Sequence, residues 1–109
     1  MSKLKNGNFF SKIPKSIPKE LFETIVSSND FKIEKIISKG HKTKKDYWYD
    51  QDNNEFVLIL NGSAELLFEN EELIKMKEGE YIIIPAHKKH RVKKTDEKKE
   101  TIWLTIFYK

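Results

Sequence analysis

The stretch from Gly79 to Val92 constrains the fold more than any other part of this sequence. Gly79 predicts a turn, and the β-branched run that follows, Tyr81–Ile84, predicts a buried strand. Pro85 ends that strand because proline has no N–H to contribute to a sheet. His90 then stands at the start of the next strand. A turn, a short strand, a proline loop and a second strand are typical of an all-β domain.

Short segments of strand character recur from Phe31 onward. Phe31, Ile33 and Ile37 alternate with charged residues, which is the period of a strand. Asn61-Gly62 is a strong signal for a type I′ hairpin, since both central positions of that turn need positive φ. The remaining predicted strands cover residues 55–60, 63–69, 73–76, 81–84, 91–92 and 101–108. Many short strands at regular spacing predict a sandwich or a jelly-roll barrel rather than a parallel α/β sheet.

Residues 1–18 are predicted to form an extended arm. Ile13 and Ile17 each precede a proline, and the residue before a proline favours extended backbone. Residues 19–27 are predicted to form a short helix, because their apolar residues share one face at helical spacing just after Pro18. The predicted organisation is an arm and a short helix in residues 1–30, packed on a barrel domain formed by residues 31–109. The arm either covers a sheet or crosses to a second subunit.

Composition narrows the class of protein. A chain of 109 residues is expected to form one domain. It contains no cysteine, which excludes disulfides, thiolate metal sites and a cysteine nucleophile, and makes a cytoplasmic location the expectation. No apolar run approaches the ~20 residues needed to span a bilayer, so no membrane partner is expected.

The distribution of charge argues against nucleic acid as a partner, although the net charge is +4. All basic residues except Arg91 are lysines scattered among carboxylates, whereas nucleic-acid binders usually concentrate arginine and exposed aromatic residues in one stripe. Charged residues make up 35% of the chain. A small all-β domain with such a surface is expected to gain further burial as a homodimer.

With these residues in place, the chain resembles the cupin superfamily. Gly79, Pro85 and His90 match the spacing of the second motif of that superfamily, and Glu55 and Gly62 match the second half of the first motif. The resemblance covers about residues 31–108. It implies a double-stranded β-helix, or jelly-roll barrel, that encloses a pocket.

The chain departs from the superfamily pattern at several motif positions. His87 takes the place of the second glycine of the second motif, and Lys94 takes the place of its asparagine. Tyr49 and Gln51 take the places of the two histidines of the first motif. The chain is similar in this respect to short, single-domain cupins of unassigned function, in which a Trp-Tyr-Asp-Gln-Asp run replaces the two-histidine segment, as residues 48–52 do here.

The resemblance implies a divalent metal in the pocket, which the usual members hold with three histidines and a glutamate. Carried over by position, the ligands are Gln51, Glu55 and His90, with Tyr49 as a fourth. Manganese, iron, zinc and nickel are the candidate ions. An oxygen-rich ligand set favours a harder ion such as manganese, or no ion. Tyr49 would need the metal to lower its pKa from the usual ~10.

A ligand pocket is predicted with or without a metal, and it comprises Tyr49, Gln51, Glu55, His90 and Trp103. Glu55 begins a buried strand, where a carboxylate needs a hydrogen-bonding partner such as His90. His90 is expected to point into the barrel together with other residues of its strand face. The aromatic side chains can stack on a planar or sugar-like ligand, or they belong to the core or to a subunit interface.

The other two histidines are expected to lie outside the pocket. His87 follows Pro85 in a turn and is interpreted as a surface residue near the mouth of the barrel. His41 lies beside Gly40 in a charged loop and is interpreted as a solvated residue, since loops usually run over the surface.

Three functions remain open from the sequence. The first is a small cupin that binds a small molecule in the barrel, with or without a metal. The second is a metal-dependent cupin enzyme, an oxygenase or an isomerase, with Glu55 and His90 as ligands or as acid and base. The third is a non-catalytic dimeric module whose pocket is filled by its own side chains. Weakened binding in a folded His90→Ala variant favours the first function over the third.

Overall fold

The computed structural model describes residues 4–109. Within that range the chain forms eight β-strands and no helix. The strands are β1 Leu21–Ser27, β2 Phe31–Ser38, β3 Asn54–Asn61, β4 Ser63–Phe68, β5 Leu73–Lys77, β6 Tyr81–Ile84, β7 His90–Thr95 and β8 Thr101–Tyr108.

The strands form two antiparallel sheets that face each other. One sheet has five strands in the order β1-β2-β8-β3-β6, and the other has three in the order β5-β4-β7. The predicted all-β jelly-roll architecture is confirmed. Apolar side chains from both sheets form the core between them, and its buried members are Val57, Ile59, Ala64, Leu66, Phe68, Met76, Ile84 and Trp103.

The predicted helix over residues 19–27 is wrong. Leu21–Ser27 is strand β1, an edge strand that pairs antiparallel with β2 and carries a bulge between Thr24 and Val26. Successive β-branched residues at Thr24, Ile25 and Val26 favour extended backbone. The edge of β2 supplies hydrogen-bond partners for the backbone of β1, and the local sequence of β1 does not predict this pairing. The apolar spacing of this segment is compatible with both a helix and a bulged strand, and pairing with β2 decides between them.

The predicted hairpin at Asn61-Gly62 is also wrong. β3 and β4 lie in different sheets, so the chain turns a corner between the sheets at this point. Gly62 has a φ of 83°, whereas Asn61 is not among the residues with positive φ. A Cβ atom on Gly62 would lie 2.7 Å from the Thr101 Cα atom. The glycine is required here by the left-handed backbone and by the close approach of β8.

Described residues of the predicted arm contact strand β2, and residues 1–3 of the arm lie outside the described residues. Lys35 on β2 donates a hydrogen bond from Nζ to the Ser11 carbonyl over 3.2 Å. Ile17 of the arm is buried, with 9% of its surface exposed. The arm then leads Glu20 to the inner side of the sheet, where its carboxylate accepts a hydrogen bond from Ser38.

The side of the five-stranded sheet that faces away from the three-stranded sheet, called the outer face here, carries two rows of side chains. Cross-strand register aligns the members of each row directly, over β2, β8, β3 and β6. The first row contains Ile33, Ile106, Phe56 and Ile83, and the second contains Lys35, Leu104, Leu58 and Tyr81. An antiparallel sheet usually presents polar residues on a solvated face, whereas Lys35 is the only charged member of these two rows, and Tyr81 and Ile83 are exposed.

Candidate functional site

A cavity of about 670 Å³ lies between the inner faces of the two sheets. It is lined by the five residues that the sequence predicted for the pocket: Tyr49, Gln51, Glu55, His90 and Trp103. Ile36, Val57 and Leu66 add apolar wall to the cavity. The predicted pocket residues, which are spread over 55 positions from Tyr49 to Trp103 in the sequence, therefore meet in one place.

His90 lies at the start of β7, and two backbone hydrogen bonds fix it beside Tyr49. The Tyr49 N–H donates to the His90 carbonyl over 2.8 Å, and the His90 N–H donates to the Tyr49 carbonyl over 3.2 Å. The two rings stack with centroids 5.7 Å apart, and Phe68 packs against His90 with a centroid separation of 6.0 Å. His90 is 6% exposed. The imidazole is therefore buried between two aromatic rings at one wall of the cavity.

Glu55, on β3, faces His90 across the cavity wall. Its Oε1 atom lies 3.5 Å from His90 Nε2 and 3.5 Å from Gln51 Nε2. His90 Nδ1 donates to the Lys88 carbonyl over 2.9 Å, which leaves Nε2 as the atom directed at the carboxylate. Because Glu55 is only 8% exposed, these two neighbours supply the partners that a buried carboxylate requires.

Two groups in the cavity have shifted pKa values. Burial by itself lowers the pKa of His90, but the hydrogen bond with Glu55, the Lys88 carbonyl and the charge of Glu55 outweigh it. The His90 pKa therefore lies above its usual 6.5. Burial, followed by the charge of Glu20, raises the pKa of Tyr49 above 10.0. The phenol stays protonated at neutral pH and acts as a hydrogen-bond donor or acceptor.

Trp103 and Ser38 hold a second carboxylate, Glu20, at the cavity. The indole N–H of Trp103 donates to Ser38 Oγ over 3.1 Å. Ser38 Oγ donates in turn to Glu20 Oε2 over 2.5 Å. Ser38 is fully buried, so this chain of hydrogen bonds fixes the carboxylate at the cavity wall.

Sequence reasoning missed Glu20 and Glu34, which both line the cavity. Glu20 was hidden because the segment that carries it was predicted to be helical. Glu34 lies between Ile33 and Lys35 in β2, and its register partner on β8 is Thr105, another cavity residue. The sequence places a polar residue, Glu34 or Thr105, in each of two predicted strands. These two positions indicate a polar cavity wall only when the pairing of the strands is known.

The other two histidines take structural positions outside the cavity. His87, with a φ of 64°, donates from Nδ1 to Asp50 Oδ1 over 2.8 Å, and its backbone N–H bonds the Gln51 carbonyl. It therefore ties the segment that carries Tyr49 and Gln51 to the loop between β6 and β7. His41 is less solvated than predicted, because Nδ1 accepts from the Lys39 N–H and Nε2 donates to the Pro18 carbonyl.

The residues in the metal-ligand positions do not fit the metal site of the superfamily. Only Glu55 and His90 are ligands of the usual kind, and no group of three or more His, Cys, Asp or Glu side chains suited to a metal occurs in residues 4–109. Gln51 adds a neutral amide. Tyr49 adds a phenol, which binds a metal only when deprotonated. The set offers one imidazole where the usual site has three.

Comparison with known proteins agrees with this fold. The family model described as "Cupin domain" matches residues 35–107. A proposed mannose-6-phosphate isomerase from Ralstonia eutropha JMP134 is 35% identical and superposes with a TM-score of 0.93, covering 96% of this chain and 98% of the other. No curated protein matches the chain significantly.

More distant structures share the fold alone. A cupin superfamily protein from Desulfitobacterium hafniense DCB-2 is 20% identical, with a TM-score of 0.73 over 88% of this chain and 83% of the other. An RmlC-like cupin from Desulfovibrio desulfuricans is 17% identical, with a TM-score of 0.73 over 96% and 97%. Residues 4–109 contain no helix with the length and apolar character for a membrane span. The family match covers most of the chain, and this protein therefore belongs to the cupin superfamily.

Proposed function

We propose that this cupin binds a small organic molecule in the cavity, with Glu55 and His90 as its polar anchors. The observation that carries the proposal is a buried carboxylate–imidazole pair in the wall of a cavity of about 670 Å³. That volume lies within the roughly 300–1,000 Å³ usual for small-molecule sites. A pocket filled by its own side chains would leave no such space, which favours a binding role over a purely structural module.

The lining suits a ligand with both a flat or apolar part and polar groups. Trp103 and Phe107 provide aromatic surface, and Gln51, Glu55 and Tyr49 provide donors and acceptors within the same cavity. A few polar groups among apolar walls orient a ligand because each unmatched polar group would cost binding energy.

Isomerisation by proton transfer is a second candidate function. The Glu55–His90 pair places a carboxylate and an imidazole 3.5 Å apart, an arrangement in which one group removes a proton from a substrate and the other donates one. The Ralstonia protein, a proposed isomerase, shares 35% of its residues with this chain. Loss of turnover in Glu55→Gln with ligand affinity retained would support catalysis rather than binding alone.

The two tryptophans provide an internal control for a binding experiment. Trp103 lines the cavity, whereas Trp48 does not. The Arg91 guanidinium lies over the Trp48 ring, with its Cζ atom 5.6 Å from the ring centroid. We expect compounds from a panel of neutral, cationic and anionic metabolites to shift the Trp103 indole N–H signal in ¹⁵N NMR spectra and leave that of Trp48 in place. A panel in which no compound moves Trp103 selectively contradicts the proposal.

Substitution of the anchors sharpens the same experiment. Glu55→Gln keeps the shape of the side chain and removes its charge, and we expect it to weaken the best panel compound by about tenfold. His87→Gln is the matched control, because His87 is 64% exposed and does not line the cavity, and the variant keeps the backbone hydrogen bond from residue 87 to the Gln51 carbonyl. Equal weakening in both variants would place the ligand outside the cavity.

Metal binding by Gln51, Glu55 and His90 remains a separate prediction. Elemental analysis of protein purified without an affinity metal column tests it, with His90→Ala as the comparison. Near-stoichiometric manganese, iron, zinc or nickel in the wild type, lost in the variant, would establish a metal site. No bound metal in the wild type would leave Glu55 and His90 as a hydrogen-bonded pair.

We propose that the outer face joins two copies of the chain as a homodimer. Its two rows are apolar except for Lys35, which is 5% exposed and donates to the Ser11 carbonyl. Ile83 and Tyr81, at one end of the rows, are 54% and 63% exposed. The chain has a net charge of +4, so two copies repel each other over most of their surface. The outer face has no exposed ammonium group in its two rows, so two copies of this face can approach without that repulsion. A self-complementary patch of this kind closes on a two-fold axis.

Sedimentation velocity tests the homodimer. We expect a dimer at micromolar concentration in the wild type and a monomer in Ile83→Lys, because the new ammonium groups would be buried against an apolar surface. Leu73→Lys is the control, since Leu73 is an exposed apolar residue of the three-stranded sheet. A monomeric wild type, or a dimer that persists in Ile83→Lys, contradicts this interface.

A cytoplasmic location is proposed from the absence of cysteine. Cell fractionation with detection of the intact chain would test it.

A further inference from the structure

We propose that the cavity selects ligands that carry hydroxyl or ammonium groups and no phosphate, and that Glu20 is a specificity-determining residue. This inference rests on the proposed small-molecule site and names its ligand class. It also separates the chain from the phosphorylated sugar in the description of the Ralstonia protein.

The charges around the cavity have the opposite sign to the charge of the whole chain. Among the described residues, the lining includes four carboxylates and one ammonium group. The carboxylates belong to Glu20, Asp30, Glu34 and Glu55, and the ammonium group to Lys32. The lining is therefore at −3 with a neutral His90 and −2 with a charged one, whereas the chain as a whole is at +4. An excess of carboxylates at a partly enclosed site repels a phosphate.

Three cationic side chains near the cavity are already engaged, the first being Lys109, whose Nζ lies 4.0 Å from Asp30 Oδ1. Lys32 Nζ lies 3.4 Å from Glu34 Oε2 and 5.1 Å from the centroid of the Phe107 ring. Arg91 donates two hydrogen bonds, to the Thr43 and Lys44 carbonyls, and does not line the cavity. Recognition of a phosphate usually requires arginine, lysine or a set of backbone N–H groups aimed at its oxygens. The described lining supplies no arginine for this task.

Glu20 is the carboxylate with the firmest support. Ser38 and Trp103 hold it through successive hydrogen bonds, so its position does not depend on a ligand. An ionised carboxylate only accepts hydrogen bonds. A ligand that lies against Glu20 must therefore donate, as a hydroxyl or an ammonium group does.

Paired sugars test this selectivity. The probes are D-mannose and mannose 6-phosphate for the hydroxyl arm, and D-glucosamine and glucosamine 6-phosphate for the ammonium arm. Binding is followed by the Trp103 indole signal, with Trp48 as the internal control. We expect each phosphorylated sugar to bind at least about tenfold more weakly than its parent. A preference for glucosamine over mannose would identify the ammonium group as the main donor.

Variants assign the selectivity to Glu20. In Glu20→Gln, which retains an acceptor for Ser38, we expect the ratio between parent and phosphorylated sugar to fall by roughly tenfold. Glu34→Gln, on a different strand, should change the ratio in the same direction and covers the case in which Glu20→Gln fails to fold. Glu23→Gln is the control, because Glu23 is exposed and is the strand-register partner of Lys35, a residue of the outer face. It should leave the ratio unchanged.

The outcomes separate the two proposals. A phosphorylated sugar that binds as tightly as its parent, or more tightly, overturns the selectivity and leaves the small-molecule site intact. An unchanged ratio in both Glu20→Gln and Glu34→Gln overturns the role of the carboxylates. A Trp103 signal that moves with none of the sugars, while other compounds of the panel move it, overturns the ligand class alone. A signal that no compound moves removes the site and this inference together.

Discussion

The two faces of the five-stranded sheet distribute polarity in opposite ways. The outer face exposes apolar side chains, with Tyr81 at 63% and Ile83 at 54%. The inner face, one residue along the same strands, places Glu34, Glu55 and Thr105 at a cavity. Glu55 and Thr105 are buried, at 8% and 1%. A sheet that served only to enclose a core would show the reverse pattern.

We infer from this inversion that each face has a use beyond stability. Buried carboxylates cost free energy unless a partner or ligand compensates them, and exposed apolar side chains such as Tyr81 and Ile83 gain free energy when another surface covers them. The inner face is therefore where a ligand is expected, and the outer face is where a second subunit is expected.

The deep part of the inner face should dominate stability. Ile59 is fully buried in the core, so Ile59→Ala should lower the free energy of unfolding by about 3 kcal/mol through lost contacts and a cavity. Ile83→Ala on the outer face should lower it by less than about 1 kcal/mol. Urea unfolding at low protein concentration measures both, because self-association then contributes little. Equal losses would contradict the assignment of the two faces.

Removal of His90 should have the next largest effect. His90→Ala leaves Glu55 buried without its imidazole partner, and we expect a loss of about 2 kcal/mol in the free energy of unfolding. The control His87→Ala removes a histidine that is 64% exposed and should change stability by no more than about 0.5 kcal/mol. A His90 variant as stable as the wild type would mean that solvent, not the imidazole, satisfies Glu55.

The contribution of His90 to the free energy of unfolding should depend on pH. This pH-dependent part should be smaller than the whole loss expected for His90→Ala. The pKa of His90 is raised in the folded chain, because its interactions with Glu55 and Lys88 outweigh burial. The charged form is therefore favoured by folding. The added stability should be fully present below pH 6.5 and decline as pH rises through the folded pKa.

Urea unfolding of the wild type and of His90→Gln over pH 5–9 checks this dependence. The difference between the two proteins should shrink toward alkaline pH. A difference that grows with pH would show that His90 is held neutral, and so that burial prevails over the charge of Glu55.

Much of the fold was predictable from local pattern. The β-branched run of β6 matches the predicted residues 81–84, and the alternation over residues 101–108 matches β8. These segments have strong strand preference and clear breakers such as Pro85. β1 was mistaken for a helix because its apolar spacing suits either structure, and only its pairing with β2 settles the matter.

The site residues at motif positions were predictable from the sequence, whereas the cavity residues outside the motifs were not. Motif spacing predicted that Tyr49, Gln51, Glu55 and His90 share one pocket, and in the structure all four line one cavity. Glu34 could not be found this way, because alternation gives the period of a strand and not the face that turns inward. In β2 the inward face includes the charged residue, an arrangement that stability alone would not predict.

The proposed ligand lies on the inner face between Glu55 and Trp103. The response of the two indole N–H signals to the metabolite panel tests this site directly. We expect a binding compound to shift Trp103, to leave Trp48 in place, and to lose affinity in Glu55→Gln but not in His87→Gln. A panel that leaves Trp103 unmoved, or shifts both tryptophans equally in all three proteins, would contradict it.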